Sequence, residues 1–361
     1  MKHIALYIHI PFCARKCAYC DFTSFPGKTH LIPAYLDQLE AEMRASAGRW
    51  GELAADTVFL GGGTPSLLTG GQMKRLMDGV RRWFTVAADA EITSEANPGT
   101  IDAAKLIAFR EAGINRLSLG VQSFDDGLLR VLGRIHTARE AEDAVRTAAD
   151  AGFTNLSVDL MYALPGQTMD QWLSTVETAM ALPVRHISCY SLIVEEGTPM
   201  KAMAEASPAC LPDEETAVAM QHEAARLLRA RGFSRYEISN YALPGFESRH
   251  NLVYWRRGDY LGLGCAAHSL MDGERFSNTA SLDEYLAGVR AYESEKLTAR
   301  DVYEETVMLG LRTREGVPAS ILPAAALEKL TRAGLIAVND DRAAVTEAGA
   351  DVLNAVILAL M

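Results

Sequence analysis

The chain has 361 residues, of which 49% are apolar and 22% are charged; this globular composition excludes a disordered chain, a collagen-like chain and a disulfide scaffold. Acidic residues outnumber basic residues by 46 to 35, and the net charge of −11 disfavours binding to nucleic acid. No apolar run approaches the ~20 residues of a membrane helix. Because the apolar stretch at 4–10 lacks a signal-peptide cleavage site, we expect a cytoplasmic protein without a membrane span.

Short apolar strands alternate with helical patterns through the first two-thirds of the chain. The predicted strands lie at 4–10, 57–60, 91–95, 116–121, 155–160, 186–192 and 236–239. The predicted helices lie at 33–47, 71–84, 102–112, 138–151, 169–182 and 213–231. This α/β alternation is typical of parallel strands with helices outside, and six or seven such units predict a full or partial (β/α) barrel whose site lies at the carboxyl ends of the strands.

The pattern changes after about residue 240, so we predict one domain at 1–240 and a smaller α+β domain at 241–361. Helical stretches from about residue 303 precede two short strands joined by an Asn/Asp turn at 339–341, which predicts a winged-helix-like end. Residues 300–361 carry 6 basic residues against 9 acidic ones, so this end is expected to pack or bind a partner protein rather than DNA.

Three of the six cysteines, Cys13, Cys17 and Cys20, lie close together with the spacing C-x3-C-x2-C. On a loop after a strand, each thiolate of such a group can bind one iron of a [4Fe–4S] cluster, which leaves the fourth iron open to an exchangeable ligand. A zinc site would need a fourth ligand at zinc spacing, and His9 precedes the loop. Three unrelated thiols are the simpler alternative, but chance rarely produces this spacing. The other cysteines carry no comparable pattern.

The cysteine loop resembles the motif of radical S-adenosylmethionine (SAM) proteins. Further segments, in the same order, are similar to the oxygen-independent coproporphyrinogen III oxidase group of that superfamily. These segments are GGGTP at 61–65, EANP at 95–98, GVQSF at 120–124, GR at 133–134 and DLMYALPG at 159–166. The resemblance implies a partial (β/α)6-type radical SAM barrel in which the three cysteines hold a [4Fe–4S] cluster beside SAM, followed by the C-terminal domain of that group.

The resemblance also implies a set of SAM-binding residues: Tyr7, Tyr19, Gly62, Gly63, Thr64, Glu95, Gln122, Arg134 and Asp159. Glycines at a strand end let the backbone approach the amino-acid end of SAM. Carboxylates and an amide at the ends of different strands suit the ribose hydroxyls and the cationic sulfonium. An arginine suits the SAM carboxylate. Taken singly, each residue has a structural alternative, such as a helix cap, a surface ion pair or a plain βα turn.

Two departures from the oxidase pattern resemble the HemW-type haem chaperones. Phe22 stands where the oxidase has a fourth cysteine, and Tyr7 lies so near the start that we expect the oxidase's long N-terminal extension to be absent. The segment 250–255 matches H-N-x-x-Y-W, a pattern similar to a hallmark of these chaperones.

That pattern implies haem contact by His250, Tyr254 and Trp255, on a loop. The structural alternative is a hydrogen-bonded His250 and a core Trp255. Cys265 and His268 are further candidate ligands, although the glycine-rich segment around them favours a packing turn.

The resemblance therefore implies a haem chaperone that binds a [4Fe–4S] cluster, SAM and haem. Its partners would be an unidentified haem-acceptor protein and an electron or haem donor, with no nucleic acid, and catalysis would not be its primary role. The alternative is a radical SAM oxidase or a related tetrapyrrole-modifying oxidoreductase, in which SAM supplies a radical. No catalytic residue is assigned.

Overall fold

The structure, a computed structural model, describes residues 1–290 and 293–361. Its strands are β1 (Lys2–Ile10), β2 (Phe12–Cys13), β3 (Phe25–Pro26), β4 (Leu53–Gly62), β5 (Thr85–Ala96), β6 (Arg116–Gln122), β7 (Asn155–Tyr162), β8 (His186–Ser191), β9 (Ser234–Arg235), β10 (Asn240–Ala242), β11 (Tyr260–Leu263), β12 (His268–Met271), β13 (Glu274–Ser277), β14 (Glu293–Lys296), β15 (Val317–Pro318), β16 (Ile336–Asn339) and β17 (Arg342–Val345). Its α-helices are α1 (Ile32–Trp50), α2 (Gly70–Trp83), α3 (Ala103–Glu111), α4 (Asp126–Val131), α5 (Ala138–Asp150), α6 (Met169–Ala181), α7 (Pro199–Ala206), α8 (Glu214–Ala230), α9 (Arg249–Trp255), α10 (Leu282–Leu286), α11 (Ala299–Gly310), α12 (Ala324–Arg332), α13 (Glu347–Asp351) and α14 (Leu353–Leu358).

The main sheet has the strand order β14-β13-β12-β11-β1-β4-β5-β6-β7-β8-β10-β9 among the described residues. The strands from β11 through β8 in this order are parallel, whereas the strands beyond them at both ends pair antiparallel. The predicted α/β class with a partial barrel is confirmed, and helices occupy each of the six predicted positions.

Strand β6 shows why the barrel interior can form a site. Leu117, Leu119 and Val121 are fully buried in the main core, while the alternate residues Ser118 and Gln122 face a cavity. Successive side chains of a strand point to opposite faces, so one face packs under the helices and the other supplies polar groups to the lumen. The polar residues of the strands therefore collect inside the barrel.

The strand predicted at 236–239 is wrong. This segment connects the short antiparallel strands β9 and β10, and the Tyr236 N–H donates to the Asn240 carbonyl at 3.1 Å. The side chain of Glu237 is buried, and its backbone forms a β-bridge with Thr313. Tyr236 is buried against the barrel through its contact with His186, and Ile238 packs on the C-terminal core, so alternate residues of the segment imitate the pattern of a strand.

Strand β11 was not predicted, because its glycines suggested a turn. It runs parallel to β1, with Leu6 opposite Leu261 and Tyr7 opposite Gly262. A Cβ atom on Gly262 would lie 2.1 Å from the carbonyl oxygen of His268, so this glycine is required by close packing. The sheet continues through β14, and the boundary predicted near residue 240 does not coincide with its end.

The C-terminal region has its own core, which includes Val307, Leu311 and Val356. The predicted hairpin is present as β16 and β17, joined through Asp340 and Asp341 with positive φ, and β15 completes a small sheet behind α11 and α12. This arrangement agrees with the winged-helix-like expectation. None of the described helices is long and apolar enough to span a membrane.

Candidate functional site

A cavity of about 650 Å³ lies at the carboxyl ends of the parallel strands, beneath the cysteine loop. Most of the residues predicted for the cluster and SAM line it together: Cys13, Cys17, Cys20, Tyr19, Gly62, Gly63, Thr64, Glu95, Gln122, Arg134 and Asp159. Tyr7 is the exception, because it lines a second cavity of about 670 Å³. Gly62 and Glu95 line both cavities, which are therefore neighbours.

The cysteine loop is held against the strand ends by hydrogen bonds to sulfur and to backbone. The Thr64 hydroxyl donates to Cys13 Sγ at 3.4 Å, and Arg134 Nη1 donates to Cys17 Sγ at 3.2 Å. The Ala18 N–H donates to the Leu132 carbonyl at 3.0 Å. Such donors stabilise sulfur ligands as thiolates.

All six cysteines are free thiols, as cluster ligation requires of the three in the loop. Among residues 1–290 and 293–361, no three His, Cys, Asp or Glu side chains converge on a single metal ion. A [4Fe–4S] cube does not need that convergence, because each thiolate binds a different iron. The three thiols on one wall of a cavity fit such a cube.

The glycines at the end of β4 pack directly on β1 and on the start of the cysteine loop. A Cβ atom on Gly63 would lie 2.7 Å from the carbonyl oxygens of Ile10 and Phe12, and one on Gly62 would lie 2.2 Å from Cε1 of His9. The Gly63 N–H donates to the Ile10 carbonyl at 3.0 Å. Any side chain at these positions would therefore separate the turn from the loop.

Two carboxyl groups face the cavity from β5 and β7, the two strands that flank β6. Asp159 accepts hydrogen bonds from Ser188 Oγ at 2.7 Å and Ser118 Oγ at 3.1 Å, and burial raises its pKa. Glu95 accepts from the Gly62 N–H at 3.1 Å. Burial, and then the charge of Asp159, raise the pKa of Glu95 to about 8. The pair would favour a cationic ligand, because a positive charge between them relieves their repulsion.

At the wall of the same cavity, the backbone of Gln122 is strained and the side chain of Arg134 lacks one hydrogen bond within the part of the chain that the structure describes. Gln122 ends β6 with a φ of 71°, a conformation that costs a non-glycine residue ~1–3 kcal/mol. Arg134 Nη2 donates to the Gly120 carbonyl, but its Nε is buried without a hydrogen-bond partner among the described residues. Strain and an unpaired buried donor at one cavity wall are typical of a ligand site.

His250 is fully buried on helix α9, which begins at Arg249 and replaces the predicted loop. Its Nδ1 lies 2.8 Å from Thr57 Oγ1, and its Nε2 lies 2.8 Å from the Tyr254 hydroxyl. Burial lowers the pKa of His250 to about 3, so the ring is neutral. Both ring nitrogens of His250 are hydrogen-bonded, as the alternative of a structural histidine predicts. Neither nitrogen is therefore free to bind iron in this conformation.

The other candidate haem residues differ in their exposure and in whether they line a cavity. Tyr254 and His268 line the second cavity, and His268 is exposed. Trp255 is half-buried and lines neither cavity. Cys265 is fully buried, with its N–H donating to the Tyr35 hydroxyl at 2.9 Å, and it packs within the core.

Sequence reasoning missed several residues of both cavities. Ser118 and Ser188 support Asp159 from the adjacent strands, and two-residue alternation along a strand with a known site residue could have indicated Ser118. Arg257, Arg275 and Glu305 line the second cavity from separate segments, and no local pattern connects them.

Two family models match the chain: the Radical SAM superfamily over residues 7–179 and the HemN C-terminal domain over residues 297–352. The crystallised coproporphyrinogen III oxidase HemN of Escherichia coli, described as a radical SAM enzyme, superposes with a TM-score of 0.87 at 26% identity, covering 99% of this chain and 90% of that one. Fold and sequence thus define a radical SAM protein, a class whose cofactors are a [4Fe–4S] cluster and SAM.

Full-length relatives specify the family. The chain is 39% identical to the heme chaperone HemW of Bacillus subtilis (strain 168), covering 86% of this chain and 84% of the relative. It is 40% identical to the heme chaperone HemW of Escherichia coli (strain K12), and the match covers 87% of this chain and 84% of the relative. It is 35% identical to the heme chaperone HemW of Mycobacterium tuberculosis (strain H37Rv), and that match covers 99% of this chain and 94% of the relative. The chain belongs to the HemW family.

Proposed function

We propose that this chain is a cytoplasmic haem chaperone that binds a [4Fe–4S] cluster, SAM and haem, and delivers haem to an acceptor protein. The observation that carries the proposal is the 35–40% identity to proteins named as haem chaperones, which extends through both parts of the chain. Free thiols in the cysteine loop suit a reducing compartment.

In this proposal, Cys13, Cys17 and Cys20 hold the cluster at the top of the first cavity. Arg134 and Thr64 donate hydrogen bonds to two of the sulfurs and offset their negative charge. When bound, the cluster supplies one iron that no residue of this loop ligates, where the amino-acid end of SAM can bind. The glycine turn at 61–63 keeps the backbone close to that position.

The first cavity also has the polarity that SAM requires. In this proposal, Glu95 and Asp159 accept hydrogen bonds from the ribose hydroxyls of SAM, and their negative charge balances the positive charge of its sulfonium. Arg134 has a buried Nε without a hydrogen-bond partner among the described residues, a donor suited to a carboxylate. Gln122 supplies an amide at the end of β6, and Tyr19 covers the cavity beside the cysteines.

For haem, we propose that Tyr254 makes direct contact, because its ring lines the second cavity. His250 fixes the Tyr254 hydroxyl and thereby acts as a positioning residue. Trp255 ends the same helix in a half-buried position. The H-N-x-x-Y-W segment would thus contact the porphyrin, and a residue outside this segment would bind the haem iron.

The alternative function is oxidation of coproporphyrinogen III or a related tetrapyrrole. The match to HemN at a TM-score of 0.87 and the cavity with its cluster and SAM residues favour it.

One anaerobically reconstituted sample tests both functions, through the haem retained per chain and through coproporphyrinogen III turnover. We expect stoichiometric haem uptake, transfer of that haem to an apo-haem protein, and no turnover. Formation of protoporphyrinogen with no retained haem would reject the chaperone in favour of the oxidase.

A further inference from the structure

The second cavity joins the barrel to the C-terminal region. Tyr260 and His268 contribute to it from β11 and β12, and Met308 and Leu309 contribute from α11. Its volume of about 670 Å³ lies within the range typical of small-molecule and cofactor sites. Apart from Tyr7, the residues predicted for the cluster and SAM line the neighbouring cavity, and Asp21, Phe22, Gly62 and Glu95 line both.

The accessible imidazole of this cavity is His268. It is exposed, and within the described ranges neither of its ring nitrogens has a hydrogen-bond partner. His9 also lines the cavity, but its nitrogens lie 2.9 Å from the Tyr7 hydroxyl and 2.9 Å from the Thr23 carbonyl oxygen. An imidazole with an unoccupied nitrogen at a cavity wall is a common axial ligand of haem iron.

The cavity also contains an incompletely paired cation. Arg257 Nε donates to Glu305 at 2.8 Å, and Arg275 pairs with the same carboxylate. Both guanidinium groups therefore contact the Glu305 carboxylate, and Arg275 also pairs with Glu295 at 3.5 Å. Arg257 Nη2 is buried without a hydrogen-bond partner among the described residues, although the side chain lines the cavity. Because an unpaired buried donor is costly, this nitrogen favours an anionic ligand group.

Part of the cavity wall is apolar and aromatic. Leu270, Met308 and Leu309 present aliphatic surface, and the rings of Tyr254 and Tyr260 meet edge-on with centroids 4.7 Å apart. Asp21 and Glu95 add acidic groups to the lining. A cavity of this volume that offers apolar surface, aromatic rings, an imidazole and a cation suits a metalloporphyrin that carries carboxylates.

We propose that haem occupies this second cavity, with His268 as an iron ligand and Arg257 paired with a propionate. The inference rests on the proposed chaperone function and adds a site to it. It also explains why the buried His250 contributes without touching iron: the His250 ring sets the position of Tyr254, which forms part of the wall.

The first test titrates ferric haem into the wild-type chain, a His268→Ala variant and a His30→Ala control, in which an exposed histidine outside both cavities is removed. We expect His268→Ala to shift the Soret band and weaken binding about tenfold or more, and added imidazole to restore the wild-type spectrum. The control should match the wild type. Far-UV circular dichroism and cluster absorbance verify that each variant is folded.

The second test compares ferric haem with its dimethyl ester, which lacks the propionate charges. The wild-type chain should prefer the free acid by about tenfold, and Arg257→Gln should abolish that preference. If the wild-type chain binds no haem, the proposed function itself fails. If it binds haem with a spectrum, affinity and ester preference that neither variant alters, the chaperone function stands and this site is wrong.

Discussion

The Nε2 atom of His250 lies 2.8 Å from the hydroxyl of Tyr254, one turn later on α9, while its Nδ1 lies 2.8 Å from Thr57 Oγ1 on β4. The two bonds fix the aromatic ring that faces the second cavity to the wall of the barrel. The N–H of His250 also donates to Glu91 Oε1 at 3.0 Å, so the start of the helix is tied to β5.

Replacing His250 should therefore cost stability before it changes iron ligation. His250→Ala leaves the Thr57 and Tyr254 hydroxyls without their partner, and we expect a loss of ~1–3 kcal/mol in the free energy of unfolding. Urea denaturation measures this loss, with His30→Ala within ~0.5 kcal/mol of the wild type as the control. Haem affinity should fall while the Soret band keeps its wavelength. Unchanged stability with a lost iron-ligand spectrum would make His250 the ligand.

The cluster should depend on the three loop cysteines alone. A variant with Cys13→Ala, Cys17→Ala and Cys20→Ala should show no cluster absorbance after anaerobic reconstitution, because no thiolate is left on the cavity wall. Cys210→Ala is the matched control: this thiol lies outside the first cavity, and the variant should bind full iron and sulfide. Full iron and sulfide in the triple variant would disprove the assignment.

SAM affinity should depend on Asp159 and Gln122, two polar residues that line the first cavity. Asp159→Ala or Gln122→Ala should weaken SAM binding roughly ten- to hundredfold, since each removes a buried or charge-assisted hydrogen-bond partner. Isothermal titration measures the affinity, and absorbance verifies that the cluster is retained. Asp143→Ala, which disrupts only an exposed ion pair with Arg139, should bind SAM as the wild type does. Normal affinity in both cavity variants would place SAM elsewhere.

The glycine turn should tolerate no side chain where it touches the cysteine loop. In Gly63→Ala the new Cβ atom would meet two backbone carbonyl oxygens at 2.7 Å, and backbone cannot move aside as a flexible side chain can. We expect destabilisation of ~1–3 kcal/mol and reduced cluster incorporation. Gly71→Ala, where nothing lies within 4 Å of the added Cβ atom, should be neutral or slightly stabilising. Equal behaviour of the two variants would contradict the packing described.

The raised pKa of Glu95 predicts a pH dependence in the chain without ligands. Its pKa rises from 4.5 to about 8, so between these values the folded chain binds more protons than the unfolded chain. Stability contributed by this group is therefore present at low pH and declines as the pH rises toward about 8. Urea unfolding across this range should show a shallower decline in Glu95→Gln. The same slope in both proteins would show that Glu95 ionises normally.

Local patterns in the sequence were sufficient for the barrel, and the ordered set of segments that resembles radical SAM proteins predicted most of the first cavity. The parallel strands and their helices carry periodicities that depend on neighbouring residues, and strand ends in a parallel barrel meet at one face whatever the details of packing. Glu95, Gln122 and Asp159 therefore lie around one cavity with Cys13, as their positions predicted. Their roles in binding SAM stay predictions.

Tertiary structure alone decided which histidine is accessible. His250 and His268 are both plausible ligands in the sequence, but one is sealed between β4 and α9 and the other opens onto a cavity. Burial depends on distant segments: Thr57 occupies the Nδ1 of His250, and the chain returns as β11 beside β1 to form the wall near His268. The pairing of Arg257 with Glu305 arises in the same way. Local periodicity carries no information about such long-range contacts, and these contacts determine which side chains remain available to a ligand.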